Sequence, residues 1–246
     1  MKKIFLWLYS VSFIVYNGEN FILQEEDMTD IIHHLKQVRR GAMFILEGPS
    51  GAGKTSVIRK IMSLDPNLKF SISVTTREPR EGEKDGVDYY YISNEKYNQL
   101  LKEDAFYECV DSQYGNRYGT LRSEVDSFIN VGQDVIFDMD WVGLRQMKEK
   151  APNEVVSIYI LPPSVKELRR RLINRGDDEK VINQRMEVVL EKMEHWTEYD
   201  YVVVNEDVDQ TVETVREIIS AERMKRVRQT GLPEFVQMLV DEAKNG

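Results

Sequence analysis

From Gly41 onward, apolar runs of two kinds alternate along the chain. Met43–Glu47 (MFILE), Asp134–Asp138 (DVIFD), Val155–Leu161 (VVSIYIL) and Tyr201–Val204 (YVVV) are short, nearly continuous and rich in β-branched residues. Runs of this kind predict strands buried on both faces. Phe70–Val74 is predicted as a further strand. Between them lie longer stretches with apolar residues three and four apart, the period of a helix with one buried stripe. These cover a segment through about Leu64, then Leu121–Val131, Ser164–Arg175, a segment ending near Glu198 and one starting near Asp209. Ser164 follows Pro162-Pro163 and has the chemistry of an N-cap. Alternating strands and helices predict an α/β fold in three layers, with a central parallel sheet covered on both faces.

Residues 75–120 interrupt this rhythm. They are polar and rich in Arg, Tyr and Gly, with strand-like runs at Tyr89–Ile92 and Phe106–Val110 and helical spacing over Asn94–Asp104. The segment is predicted as a small lobe inserted into the main sheet. Ahead of Gly41, Lys2 and Lys3 precede an apolar stretch from Ile4 to Tyr16. It is shorter than the ~20 apolar residues of a spanning helix, and no Ala-x-Ala cleavage site follows it. Three readings are open for residues 1–27: a stretch outside the native protein with Met28 as initiator, an extension that packs poorly, or an export signal. We prefer the first. Residues 1–40 are then an N-terminal extension, and 222–246 a basic and amphipathic helical tail suited either to solvent or to self-association.

The strand at Met43–Glu47 runs directly into Gly48-Pro49-Ser50-Gly51-Ala52-Gly53-Lys54-Thr55, which fits G-x-x-x-x-G-K-[ST] without a mismatch. Glycines let backbone N–H groups converge on phosphate oxygens, and the helix that follows adds the positive end of its dipole. Lys54 reaches the β and γ phosphates, and the Thr55 hydroxyl is a ligand for Mg²⁺. Asp138, at the end of a predicted strand, is a second Mg²⁺ candidate. A strand before and a helix after the loop are the context that makes the motif specific for ATP or GTP. GTPases share the loop, but no N-K-x-D guanine-reading motif occurs in the chain.

The lobe carries Ser73-Val-Thr-Thr-Arg77-Glu-Pro-Arg80-Glu-Gly-Glu83 and then Asp88-Tyr89. Two guanidinium forks three residues apart, with Pro79 fixing the chain between them, can grip one phosphate. Alone, the segment reads equally as a solvated loop whose arginines pair with Glu78, Glu81 and Glu83. The segment resembles the acceptor-phosphate segment of guanylate kinases. Further stretches resemble that family in order and spacing: Phe106-Tyr-Glu108, Tyr114-Gly-Asn-Arg-Tyr118-Gly-Thr120, Asp138-Met-Asp140-Trp-Val-Gly, Leu161-Pro-Pro-Ser, Arg171-Leu-x-x-Arg175-Gly, Ile182-Asn-Gln-Arg185, Tyr199-Asp-Tyr and Val204-Asn205-Glu-Asp.

The resemblance spans about residues 41–228. It implies a P-loop kinase fold over 41–221, with a GMP-binding lobe at about 75–120 and an arginine-bearing lid at about 175–185. It implies ATP-dependent phosphorylation of GMP to GDP with Mg²⁺ bound to the ATP. Arg77, Arg80, Tyr89 and Tyr118 would bind the GMP phosphate. Ser73, Glu108, Thr120 and Asp140 would read the guanine, and Asn205 would sit near the adenine. Arg171, Arg175 and Arg185 would clamp the transferring group. Val142 stands where the family pattern has Gln, and the lid is about one residue short. Two other readings compete: a catalytically silent binding module of the same fold, and a P-loop kinase for another small phosphate such as a ribose bisphosphate. The intact Lys54, Thr55 and lid arginines argue against the module, and Glu108 with Thr120 argues for a base to be read.

Composition adds little beyond exclusions. The net charge of −9 disfavours a nucleic-acid partner. One cysteine, Cys109, forms no internal disulfide, and together with three histidines it makes a zinc site improbable. Both, with the need for ATP, fit a cytoplasmic enzyme with no stable membrane association.

Overall fold

The computed structural model describes residues 4–8, 11–16, 19–23, 39–112, 115–176 and 178–245. Met28 and Tyr114 lie outside them. The chain divides into two compact units, one of residues 1–39 with 225–246 and one of residues 40–224. In the first unit β1 (Ile4–Leu8), β2 (Val11–Tyr16) and β3 (Glu19–Leu23) form an antiparallel meander. The apolar stretch that the sequence presents as continuous is thus divided between two strands. Among the described residues no helix is long and apolar enough to cross a membrane.

The second unit opens with β4 (Met43–Glu47), the loop, and α1 (Lys54–Leu64). Next come β5 (Leu68–Phe70), β6 (Val74–Thr75), β7 (Tyr90–Tyr91), α2 (Asn94–Lys102), β8 (Phe106–Asp111) and β9 (Arg117–Leu121). The main pattern resumes with α3 (Arg122–Ile129), β10 (Asp134–Asp138), α4 (Trp141–Lys150), β11 (Val155–Leu161) and α5 (Val165–Asn174). It continues with α6 (Glu179–Glu194), a 3₁₀ turn at His195–Glu198, β12 (Tyr201–Val204) and α7 (Val208–Arg223). The tail of the first unit ends in α8 (Leu232–Asn245).

The central sheet is parallel, in the order β12-β11-β4-β10-β5. Side chains alternate across it, as the pleat requires. Phe44, Leu46, Ile136, Ile158 and Ile160 pack against Val57, Ile58 and Ile61 of α1 and Val212, Val215 and Ile219 of α7. Met43, Ile45, Val135, Phe137 and Tyr159 face the other way, toward Val125 and Ile129 of α3 and Leu144 and Met147 of α4. These are the three layers expected from the continuous runs. Ser164 caps α5, accepting from Glu167 N at 3.0 Å.

Two expectations need correction. Phe70–Val74 is not one strand. Leu68–Phe70 pairs with β10, Ser71 N still donates to Ile136 O at 3.0 Å, and the chain then leaves for a second sheet at Val74. The polar linker Ser71–Ser73 is where the two sheets part. The second sheet, ordered β7-β6-β9-β8, is the inserted lobe. Its central strand β9 was not anticipated, because Arg117-Tyr-Gly-Thr-Leu has no apolar run. Gly119 is required there: a Cβ would stand 2.9 Å from the Phe106 ring. Val74, Tyr97 and Phe106 form the lobe's own small core. Gln146 of α4 bonds both backbone groups of Cys109, accepting at 3.0 Å and donating at 3.1 Å, and so pins β8 to the main layer.

Candidate active site

The loop Gly48–Gly53 leaves the carboxyl end of β4 and enters the amino end of α1, so strand and helix ends both face one crevice. Gly53 has φ 103°, and a Cβ there would lie 2.2 Å from Asn205 Nδ2. Only glycine meets both conditions. Asn205 follows β12 and supports the loop. It donates to Ala52 O at 2.6 Å and accepts from Thr211 Oγ1 at 3.0 Å. Arg171 converges on the same corner, bonding Asn205 O at 2.9 Å, Ala52 O at 3.4 Å and Glu167 Oε1 at 2.9 Å.

Lys54 donates to Gly48 O at 2.6 Å. Burial lowers its pKa, opposed by the nearby carboxylate of Asp138. Thr55, on the first turn of α1, and Asp138, at the end of β10, are both exposed hard-oxygen groups. Among the described residues no cluster of three acidic, His or Cys side chains could hold a metal by itself. A hard cation here fits only if most of its ligands come from phosphate oxygens and water, as Mg²⁺ prefers.

On the lobe, Arg77 makes a two-pronged ion pair with Glu83, both bonds 2.9 Å. Glu83 also accepts from Arg80 N at 2.7 Å and from the Tyr91 hydroxyl at 2.9 Å. The Arg77 fork holds the Glu83 carboxyl down to about 2, and Glu83 in turn raises Arg77. This is half of the solvated-loop reading: one arginine pairs with Glu83. The Arg80 side chain is exposed. The Arg77 guanidinium lies 5.4 Å from the Tyr89 ring centre, and Tyr89 meets Tyr118 edge-on at 5.8 Å. Tyr118 also acts on Arg77, raising its pKa after the larger effect of Glu83. Arg77, Tyr89 and Tyr118 therefore converge. Tyr91 joins them as a residue that sequence reasoning missed, hidden in a run of three tyrosines.

Glu108 on β8 sits opposite Thr120 on β9, and the Thr120 hydroxyl donates to Glu108 Oε1 at 2.9 Å. Both side chains are buried. Burial pushes the Glu108 carboxyl up, and the charge of Asp140 adds to the push. Asp140 itself caps α4, accepting from Val142 N at 3.1 Å and Gly143 N at 3.2 Å through one oxygen. The backbone N–H of Val142 is thus tied to Asp140. Ser73 lies half-buried in the linker between the sheets, and its carbonyl accepts from Tyr90 N at 3.0 Å.

The three candidate lid arginines do not occupy equivalent places. Arg171 is bound at the Ala52–Asn205 corner. Arg175, the C-cap of α5, is exposed. Arg185 reaches from α6 to Ser50, with Nη1 to Oγ at 3.2 Å, and so stands over the phosphate loop.

A family model described as guanylate kinase matches residues 40–222. A guanylate kinase of Novosphingobium aromaticivorans is 49% identical over 203 residues, covering 82% of this chain and 91% of that protein. One from Paramagnetospirillum magneticum is 45% identical over 213 residues, covering 86% of this chain and 98% of that protein. Among solved structures, the guanylate kinase of Anaplasma phagocytophilum superposes with a TM-score of 0.64 at 34% identity, covering 81% of this chain and 95% of that one.

Proposed function

Starting from the fact that this chain belongs to the guanylate kinase family and catalyses ATP-dependent phosphorylation of GMP to GDP, we propose how its residues divide the work. The loop Gly48–Thr55 takes the triphosphate of ATP, and Lys54 neutralises charge at its β and γ groups. Thr55, with Asp138, would hold Mg²⁺ brought with the ATP, and the ion would offset the negative charge of the phosphates. Arg77, Arg80, Tyr89 and Tyr118 take the phosphate of GMP. Glu83, anchored by Tyr91, fixes the orientation of the planar Arg77 guanidinium.

A phosphate oxygen of GMP attacks the γ-phosphorus in line, and the bond to the leaving oxygen of ADP breaks. The attacking oxygen is already ionised near neutral pH, since the second phosphate pKa is about 6, so no general base is required. Arg185 and Arg175 follow the transferring group. Arg171 and Asn205 instead hold the Ala52 corner of the loop beside the adenine. Closing the lid over the crevice excludes water as a competing acceptor.

The observation that carries the guanine assignment is the buried Glu108 carboxylate, fixed by Thr120. Guanine presents N1–H and its amino group side by side, and a carboxylate accepts from both. Ser73 and the uncommitted oxygen of Asp140 complete the edge. ADP release measured with GMP, dGMP, AMP, CMP and UMP tests the reading. We expect turnover with the guanine nucleotides and not with the others; equal rates with AMP and GMP would sink it.

Residues 41–221 constitute the catalytic domain in this reading, with the lobe at 75–120 and the lid at 175–185. The enzyme works in the cytoplasm, where ATP is, and binds neither nucleic acid nor membrane stably. Val236, Leu239 and Val240 form an exposed apolar stripe on α8, which supports the tail as a self-association surface.

A further inference from the structure

Glu47 is the last residue of β4, directly before the phosphate loop, and it is 2% exposed. The Tyr199 hydroxyl donates to its Oε2, and Oε1 has no hydrogen-bond partner. Lys54 Nζ donates to the carbonyl of Gly48, the next residue, at 2.6 Å. The Tyr199 ring lies 4.8 Å from that of Tyr159, whose hydroxyl donates to Lys192 O at 2.7 Å, and the charges of Lys192, Lys54 and Asp140 all act on Glu47. Lys192 and Lys54 also act on each other, each within the other's field. Two ammonium groups therefore act on one buried carboxylate at the base of the phosphate loop. Lys192 lies about two turns beyond Arg185 on the same helix, and Arg185 reaches Ser50 of that loop. One helix thus carries both the arginine that reaches the loop and a lysine whose charge acts on Glu47.

A buried carboxylate left half-unpartnered beside a lysine needs a compensating reason, because burial without full hydrogen bonding is unfavourable. Glu47 and Tyr199 are both buried. What they can do is set the charge and place of Lys54.

We propose that Glu47 is a positioning residue for Lys54, and that Lys192 and Tyr199 tie it to the lid side of the enzyme, so that one carboxylate couples the donor lysine to the lid helix. The proposal rests on Lys54 serving the donor phosphates. When Glu47 is ionised, it counters the two ammonium groups and keeps Lys54 charged and fixed. When it is protonated, the ammonium groups repel without a mediator and donor binding weakens. Burial raises Glu47 to about 7, so both states occur near neutrality.

The test is the pH dependence of kcat and of KM for ATP, at saturating GMP, in the wild type, E47Q, Y199F and K192M. The substrate phosphates titrate identically in all four. E47Q should match the wild type at pH 6 and show a KM for ATP roughly tenfold higher at pH 8.5, the size of about one pKa unit of coupling, with kcat changing far less. The hydrogen bond from Tyr199 and the charge of Lys192 both lower the Glu47 pKa. Y199F and K192M should therefore move the wild-type midpoint to higher pH. A constant ratio between E47Q and the wild type across the range overturns the proposal. Should E47Q not fold, an unmoved midpoint in both Y199F and K192M overturns it instead. Absence of GDP formation by the wild type would defeat the functional reading itself, a different failure.

Discussion

Replacing Lys54 with methionine should lower kcat for GDP formation by at least ~10³-fold while the protein remains folded, the scale seen when one preorganised charge is removed from a transition state. The loss is large because phosphoryl transfer depends on placing and neutralising charge, with little covalent work for the protein to do. Lys54 sits at the start of α1, where the helix dipole and its ammonium act in the same direction. Among the described residues, the one hydrogen bond of its ammonium is to Gly48 O. Methionine has a similar reach and leaves the apolar contacts of Val57, Ile58 and Ile61 alone. The check is single-turnover GDP formation alongside a thermal melt. A folded variant that turns over at a comparable rate removes Lys54 from the mechanism.

The second large effect concerns selectivity. Glu108→Gln should erase most of the preference for GMP over AMP, which a hydrogen-bonding site can set at roughly 10⁴. The amide presents one acceptor and one donor where guanine presents two donors, so a donor faces a donor. Adenine, with a bare acceptor at N1, is no longer repelled. Thr120 remains able to bond the side-chain oxygen, so the pocket keeps its shape. Ratios of kcat/KM for the two nucleotides decide the matter: an unchanged ratio would show that the base is read elsewhere.

The parts of the fold that showed in the sequence are those governed by repeated burial. β4, β10 and β11 are enclosed on both faces, so their apolar runs are unbroken and unmistakable. β9 was hidden because it lies within a small lobe, where tyrosine rings and a glycine substitute for an aliphatic run. The break at Ser71–Ser73 was hidden because apolar and polar residues continue the strand pattern across the point where the pairing partner changes. In the site, the phosphate loop and the arginine–tyrosine lobe were legible as local motifs, since their chemistry demands particular residues at close spacing. The pairing of Arg77 with Glu83 was legible only as one alternative. The pairing of Glu47 with Tyr199 was not legible at all: the two meet across 152 positions of sequence, and neither the strand that ends at Glu47 nor the Tyr199-Asp-Tyr stretch points to the other.

Glu47 also has a consequence for the durability of the protein. Most carboxylates in proteins are better placed folded than unfolded, so acid is what weakens them. Glu47 is the reverse: its pKa rises from 4.5 in the open chain to about 7 in its pocket. The folded state therefore holds this proton more tightly than the unfolded state. Its contribution is neutral below pH 4.5 and turns unfavourable as the pH climbs to about 7, reaching about 3 kcal/mol above that value. In a domain whose whole margin is about 5–15 kcal/mol, mild alkali should lower the melting temperature of the wild type and not that of E47Q. The same conditions that place Lys54 best for catalysis are those in which the chain is least secure.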